Sequence, residues 1–117
     1  MKFGFIGFGE VGQVFSRALR EKGGEILIYD ILLDHPLRAP LLQERIRQAG
    51  AVAGSLSEVV SRSDYLFSVV TTEVAKAAAE LCSEHLKPGQ FYVDLNSTSP
   101  TVKVNIGRII EDRGADF

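Results

Sequence analysis

Apolar positions in this chain fall into short continuous runs separated by stretches of helical period. Residues 2–6, 25–29, 65–70 and 91–95 each carry an apolar run of strand length. Such runs suit strands covered on both faces. Between the first two, Val11, Val14, Phe15, Ala18 and Leu19 recur at helical spacing, and Gly23-Gly24 supplies a stop. Residues 32–40 read as a loop broken by Pro36 and Pro40, with His35 on its surface. A short helix over 41–49 turns Leu42, Ile46 and Ala49 inward, and 51–53 reads as a short strand. Ser55 and Glu58 have capping-box spacing and open a helix to Arg62. A helix over 73–86 puts Val74, Ala77, Ala78, Leu81 and Cys82 on one apolar face, which makes Cys82 a core residue. Ser99-Pro100 reads as N-cap and first turn of a last helix with the stripe Val102, Ile106, Ile109 and Ile110. Residues 115–117 look like the start of one more strand. Strands alternating with helices predict an α/β, doubly wound, largely parallel sheet of order 3-2-1-4-5-6, its last strand truncated.

The first strand runs directly into Gly7-Phe8-Gly9-Glu10-Val11-Gly12, a G-x-G-x-x-G pattern that opens the first helix. In that context the pattern points to a dinucleotide. Gly7 permits the tight turn, Gly9 lets the backbone approach a pyrophosphate, and Gly12 lets the helix pack closely. The helix N-terminus offers free N–H groups and positive dipole to phosphate. Glu10 adds negative charge there and must point away. Asp30 ends the second strand, 18 positions past Gly12. A carboxylate there accepts the ribose hydroxyls of NAD and repels the extra phosphate of NADP, and Ile31 offers that phosphate no cation. The expected cofactor is therefore NAD in preference to NADP. Thr71 lies beyond the carboxyl end of a strand, where it can line the cofactor site or cap the next helix. Asn96, Ser97 and Thr98 lie beyond the next strand, where they can meet a ligand or form the turn.

Bulk properties narrow the classes. The length of 117 residues fits one domain, and 45% hydrophobic residues suffice for a core. A net charge of −2 with scattered Lys and Arg gives no nucleic-acid footprint. One cysteine excludes an internal disulfide, and no residue cluster suggests a metal. No segment has the length of a membrane span, and the chain reads as cytoplasmic.

Four pieces in order resemble the N-terminal NAD-binding domain of the β-hydroxyacid dehydrogenases, which include 3-hydroxyisobutyrate and 6-phosphogluconate dehydrogenases. They are residues 4–12, Tyr29-Asp30, residues 55–64, and Asp94-Leu95-Asn96-Ser97-Thr98-Ser99-Pro100. The resemblance implies a Rossmann domain over 1–117 and hydride transfer between NAD and a small hydroxy acid. It also implies a helical C-terminal domain absent from this chain and a homo-oligomeric full-length enzyme. By the same resemblance Asn96 meets the nicotinamide end and Ser97 and Thr98 meet substrate. Asn96-Ser97 stands where hydroxyacid dehydrogenases usually have Ser-Thr, which leaves the substrate open. The family's catalytic lysine is expected beyond residue 117; Lys76 and Lys103 do not match its context. Two rivals remain: an NAD-binding regulatory module without turnover, and a methyltransferase, whose usual G-x-G-x-G loop fits less well.

Overall fold

The computed structural model describes residues 1–117. Five parallel strands form one sheet in the order β3-β2-β1-β4-β5. They are β1 Lys2–Ile6, β2 Glu25–Tyr29, β3 Val52–Ala53, β4 Tyr65–Ser68 and β5 Phe91–Asp94. The helices are α1 Glu10–Glu21, α2 Ala39–Gln48, α3 Leu56–Arg62, α4 Ala75–Ser83 and α5 Pro100–Glu111. The predicted order of the first five strands holds. The sixth position is begun by a single parallel bridge, Phe91 to Asp116. There the Tyr92 N–H donates to the Asp116 carbonyl at 2.8 Å and the Asp116 N–H donates to the Gln90 carbonyl at 2.9 Å.

The register matches Phe5 to Ile28 on one side and to Phe67 on the other. One core joins Ile6, Leu27 and Leu66 to residues of α3, α4 and α5, with Tyr92 its largest fully buried side chain. The other joins Phe5, Phe8, Ile26 and Ile28 to Leu42 and Ile46 of α2. On this second face, Phe15, Phe67, Phe3, Tyr65 and Phe91 form a row of neighbouring rings with centroids 4.9–6.4 Å apart. The row reaches solvent at Phe15 and Phe91.

Several local expectations hold for the reasons given. Ser55 Oγ accepts the Glu58 N–H and Glu58 Oε1 accepts the Ser55 N–H, both at 3.2 Å. Ser99 caps α5 by accepting the Val102 N–H, with Pro100 in the first turn. His35 is exposed, and its Nδ1 closes a turn by accepting the Leu37 N–H.

Two helices are rotated from their predicted faces. In α1 the buried residues are Gly12 and Ser16, whereas Val11, Val14 and Phe15 are exposed. The cause is Gly12: a Cβ there would lie 3.3 Å from the Gly7 carbonyl oxygen, so the helix presses its smallest residue onto β1. In α4 the buried residues are Ala75, Ala79, Cys82 and Ser83. Cys82 is in the core as expected, but Val74, Ala77 and Leu81 face outward. The helix also starts later than predicted, after a 3-10 turn over Thr72–Val74. The expected loop after β2 contains a second 3-10 turn, Ile31–Asp34.

Gln90, which the sequence patterns do not single out, joins α3 to the start of β5. Its buried Nε2 donates at 2.8 Å to the carbonyls of both Val60 and Ser63. Its Oε1 accepts the Lys87 N–H at 2.8 Å. Gln90→Ala leaves the buried Ser63 carbonyl without this donor and the Lys87 N–H without this acceptor, and we predict a loss of about 2 kcal/mol in urea unfolding; an unchanged midpoint would contradict it. The core also makes stability fall at alkaline pH. Burial raises the Cys82 thiol from 9.0 to about 12, and burial raises the Tyr92 phenol as well. Between pH 9 and 12 the unfolded chain gives up the Cys82 proton that the folded chain keeps. Stability is therefore lost as pH rises through that window, by at most about 1.4 kcal/mol per pH unit from this group. Urea titrations from pH 8 to 11 should show that decline, and it should be shallower in Cys82→Ala.

Candidate cofactor site

The chain runs from β1 outward to β2 and β3, then returns past β1 to β4 and β5. In such a sheet the crevice lies beyond the carboxyl ends of the strands where the winding reverses. A cleft of about 710 Å³ opens there. Its floor is Ile6, Gly7, Phe8 and Gly9, and its sides come from residues 29–32, residues 69–71 and α4.

The three glycines have separate structural reasons. Gly7 has φ +93°, and a Cβ on it would lie 2.1 Å from the Val69 carbonyl oxygen. No side chain fits that turn. Gly9 has ordinary backbone angles, and a Cβ on it would meet nothing within 4 Å. Its bareness answers no need of the protein itself and leaves space above the backbone. Gly12 is buried behind the turn and sets the helix against β1. Gly9 is also the N-cap of α1 and supplies no side-chain acceptor. The first-turn N–H groups are therefore left for water or an anion.

Asp30 ties two of these segments together. Its Oδ2 accepts the Phe8 N–H at 2.8 Å, and its Oδ1 accepts the Leu32 N–H at 2.9 Å. The side chain is half-buried and lines the cleft. Each carboxylate oxygen keeps a second lone pair for an incoming hydroxyl. Thr71 also lines the cleft, is exposed, and makes no cap bond to the 3-10 turn it precedes. Capping therefore does not occupy its hydroxyl.

The cleft's apolar wall is Val74, at the N-cap of α4, with the outward Ala77, Ala78 and Leu81 of the helix, joined by Leu56 and Ile31. Their spacing is equally that of a core face, so the sequence does not mark them as site residues. Tyr29 stands beside them. Its phenol is raised by partial burial and then by the carboxylates of Asp34 and Asp30.

The structure gathers Gly7, Phe8, Gly9, Asp30 and Thr71 in one cleft, and it places the other sequence-predicted residues elsewhere. The Phe8 side chain is in the core, so only its backbone faces the cleft, and its N–H is taken by Asp30. Glu10 and Val11 are exposed on the first turn of α1, outside the cleft lining. Asn96 is buried: its Oδ1 accepts the Val70 N–H at 2.8 Å, and its Nδ2 donates to Ser68 Oγ at 3.1 Å. It holds the cleft wall from behind. Ser97 is exposed on the adjoining loop, and its carbonyl accepts the Thr72 hydroxyl at 2.9 Å. Thr98 is half-buried, with a hydroxyl that finds no partner.

The arrangement has the parts that a dinucleotide requires. Open space above Gly9 adjoins uncapped helix N–H groups for phosphate. A carboxylate with free lone pairs stands where hydroxyls would lie, and an apolar wall suits a flat base. No helix is long and apolar enough to cross a membrane.

Comparison with known proteins agrees. Residues 2–117 match the family model of the NAD binding domain of 6-phosphogluconate dehydrogenase. Human mitochondrial 3-hydroxyisobutyrate dehydrogenase is 25% identical over 119 residues, covering 97% of this chain and 33% of that protein. A conserved hypothetical protein from Sinorhizobium meliloti superposes over the whole chain and 40% of its own, with TM-score 0.93 and 25% identity. A conserved protein of unknown function, described as similar in structure to 3-hydroxyacid dehydrogenases, is 35% identical with TM-score 0.82. That match covers 98% of this chain and 42% of that one. The chain thus spans about a third of the length of its 3-hydroxyisobutyrate dehydrogenase relatives. With the fold, the glycine turn and the match over residues 2–117 in agreement, the chain belongs to the family of NAD-binding domains typified by that of 6-phosphogluconate dehydrogenase.

Proposed function

We propose that this chain is the cofactor-binding part of an oxidoreductase that uses NAD in preference to NADP and acts on a small hydroxy acid. The observation that carries the NAD reading is Asp30. Its carboxylate is fixed at the cleft by two backbone N–H groups. An additional phosphate on the ribose would meet that charge with Ile31 beside it and would find no cation there. The hydroxy-acid class rests on the family and on its dehydrogenase relatives. Bound NAD would supply the hydride acceptor. The chain's own residues bind and orient it: the N-terminus of α1 holds the pyrophosphate, Asp30 the adenosine ribose, and the α4 wall the base. Asn96 acts by holding Val70, and Ser97 presents its hydroxyl beside the cleft toward substrate. A proton-transfer group and the remaining substrate contacts are assigned to a second domain, as the greater length of the relatives suggests.

Calorimetric titration of the chain with NADH and with NADPH tests the cofactor choice. NADH should bind at least about tenfold more tightly, a difference of about 1.4 kcal/mol. Equal affinities would overturn the role of Asp30. The glycine turn is tested separately. Gly9→Val fills the open space and should abolish NADH binding, while folding stability falls by no more than about 1 kcal/mol for the poorer N-cap. Gly7→Ala should instead lower stability by about 2 kcal/mol or more, because its backbone is left-handed and its Cβ meets a carbonyl. Wild-type NADH affinity in Gly9→Val would remove the glycine turn from the site.

A further inference from the structure

Lys103, on the first turns of α5, makes three hydrogen bonds from one ammonium. Its Nζ donates to Asp94 Oδ1 at 2.8 Å, to the Asp94 carbonyl at 3.2 Å and to the Asn96 carbonyl at 2.7 Å. An ammonium has three donors, and here all three are used. The Asp94 side chain is fully buried at the end of β5, while that of Lys103 is 32% exposed. Asp94 Oδ1 also accepts the Asn96 N–H at 2.7 Å.

Asn96 is thereby held at every polar group. Its N–H is bound by Asp94 and its carbonyl by Lys103; its side chain grips the Val70 N–H and the Ser68 hydroxyl. Val70 and Thr71 line the cofactor cleft. The Thr72 hydroxyl ties the same segment to the Ser97 carbonyl. A continuous set of bonds therefore runs from α5 through Asn96 to the cleft wall.

We propose that Lys103 is a positioning residue: through the Asn96 carbonyl its ammonium fixes the turn after β5, so that Asn96 holds Val70 and Thr71 at the cofactor cleft and Ser97 at its edge. The proposal rests on reading that cleft as the NAD site. It differs from simple neutralisation of a buried carboxylate, which needs the lysine near Asp94 but no bond to Asn96.

The test separates these roles with two variants of the 117-residue chain, Lys103→Met and the double variant Asp94→Asn/Lys103→Met. In the double variant no charge is left buried and unpaired, and residue 94 still offers an amide oxygen to the Asn96 N–H. Thermal midpoint, NADH affinity and hydrogen exchange at the Val70 amide are measured for each. Lys103→Met should lower the midpoint, weaken NADH binding at least about fivefold and speed Val70 exchange, as loss of a charge-assisted bond implies. The double variant should recover most of the midpoint yet keep the weak binding and the fast exchange. Wild-type Val70 protection in the double variant would overturn the proposal. Protection is measured without cofactor. Failure of the wild-type chain to bind NADH would therefore count against the NAD reading, while Val70 exchange in the two variants would still decide the role of Lys103.

Discussion

The carboxylate of Asp30 is the interaction on which the cleft depends. It accepts the Phe8 N–H from the glycine turn and the Leu32 N–H from the 3-10 turn after β2. Without it, two buried or half-buried donors at the ends of neighbouring strands would be unpaired, and the floor and one side of the cleft would be free to separate. One group thus closes the structure and puts a fixed negative charge at the mouth of the site. A residue in such a position cannot be exchanged for cofactor preference alone, because its loss also loosens the turn that Gly7 makes.

That turn is the second constraint. Gly7 packs against the Val69 carbonyl with no room for a side chain, and Gly12 packs against the carbonyl of Gly7. Together they bring β1, β4 and α1 into close contact on one side of Gly9 and leave the other side open. The first-turn N–H groups of α1, which the glycine cap leaves without a side-chain acceptor, face a phosphate or water. The closeness of α1 also explains its rotation. Gly12 and Ser16 go inward, the larger Val11 and Val14 are turned out to solvent, and Phe15 joins the row of aromatic rings beside Phe67.

Much of this was legible in the sequence because it is local. The Ser55–Glu58 box and the Ser99-Pro100 start act within three residues of themselves, and apolar runs mark the strands; the glycines and Asp30 are marked by their spacing, although Gly7 packs on the distant Val69 and Asp30 binds the distant Phe8. What was not legible depends on contacts between distant segments. The stripe Val74, Ala77, Ala78 and Leu81 has the period of a core face, and only the packing of Ala75, Ala79 and Cys82 turns it toward the cleft. From its spacing, Asn96 fits a ligand contact and a turn equally. Its partners Ser68 and Val70 lie 28 and 26 positions away, and they convert it into a support for the cleft wall. Gln90 carries no local signature for the same reason: its acceptors lie on α3 and just beyond it.

The central claim is that one cleft, bounded by the glycine turn, Asp30 and the α4 wall, receives the dinucleotide. Amide chemical shifts of the chain during NADH titration test it most directly. The largest changes should fall on Gly9, Glu10 and Val11, on Asp30 to Leu32, on Thr71 and on Ala77 and Ala78, with residues of α2 and the outer face of α5 unmoved. Changes centred on any other surface, or saturable binding that leaves Gly9 and Asp30 unshifted, would contradict it.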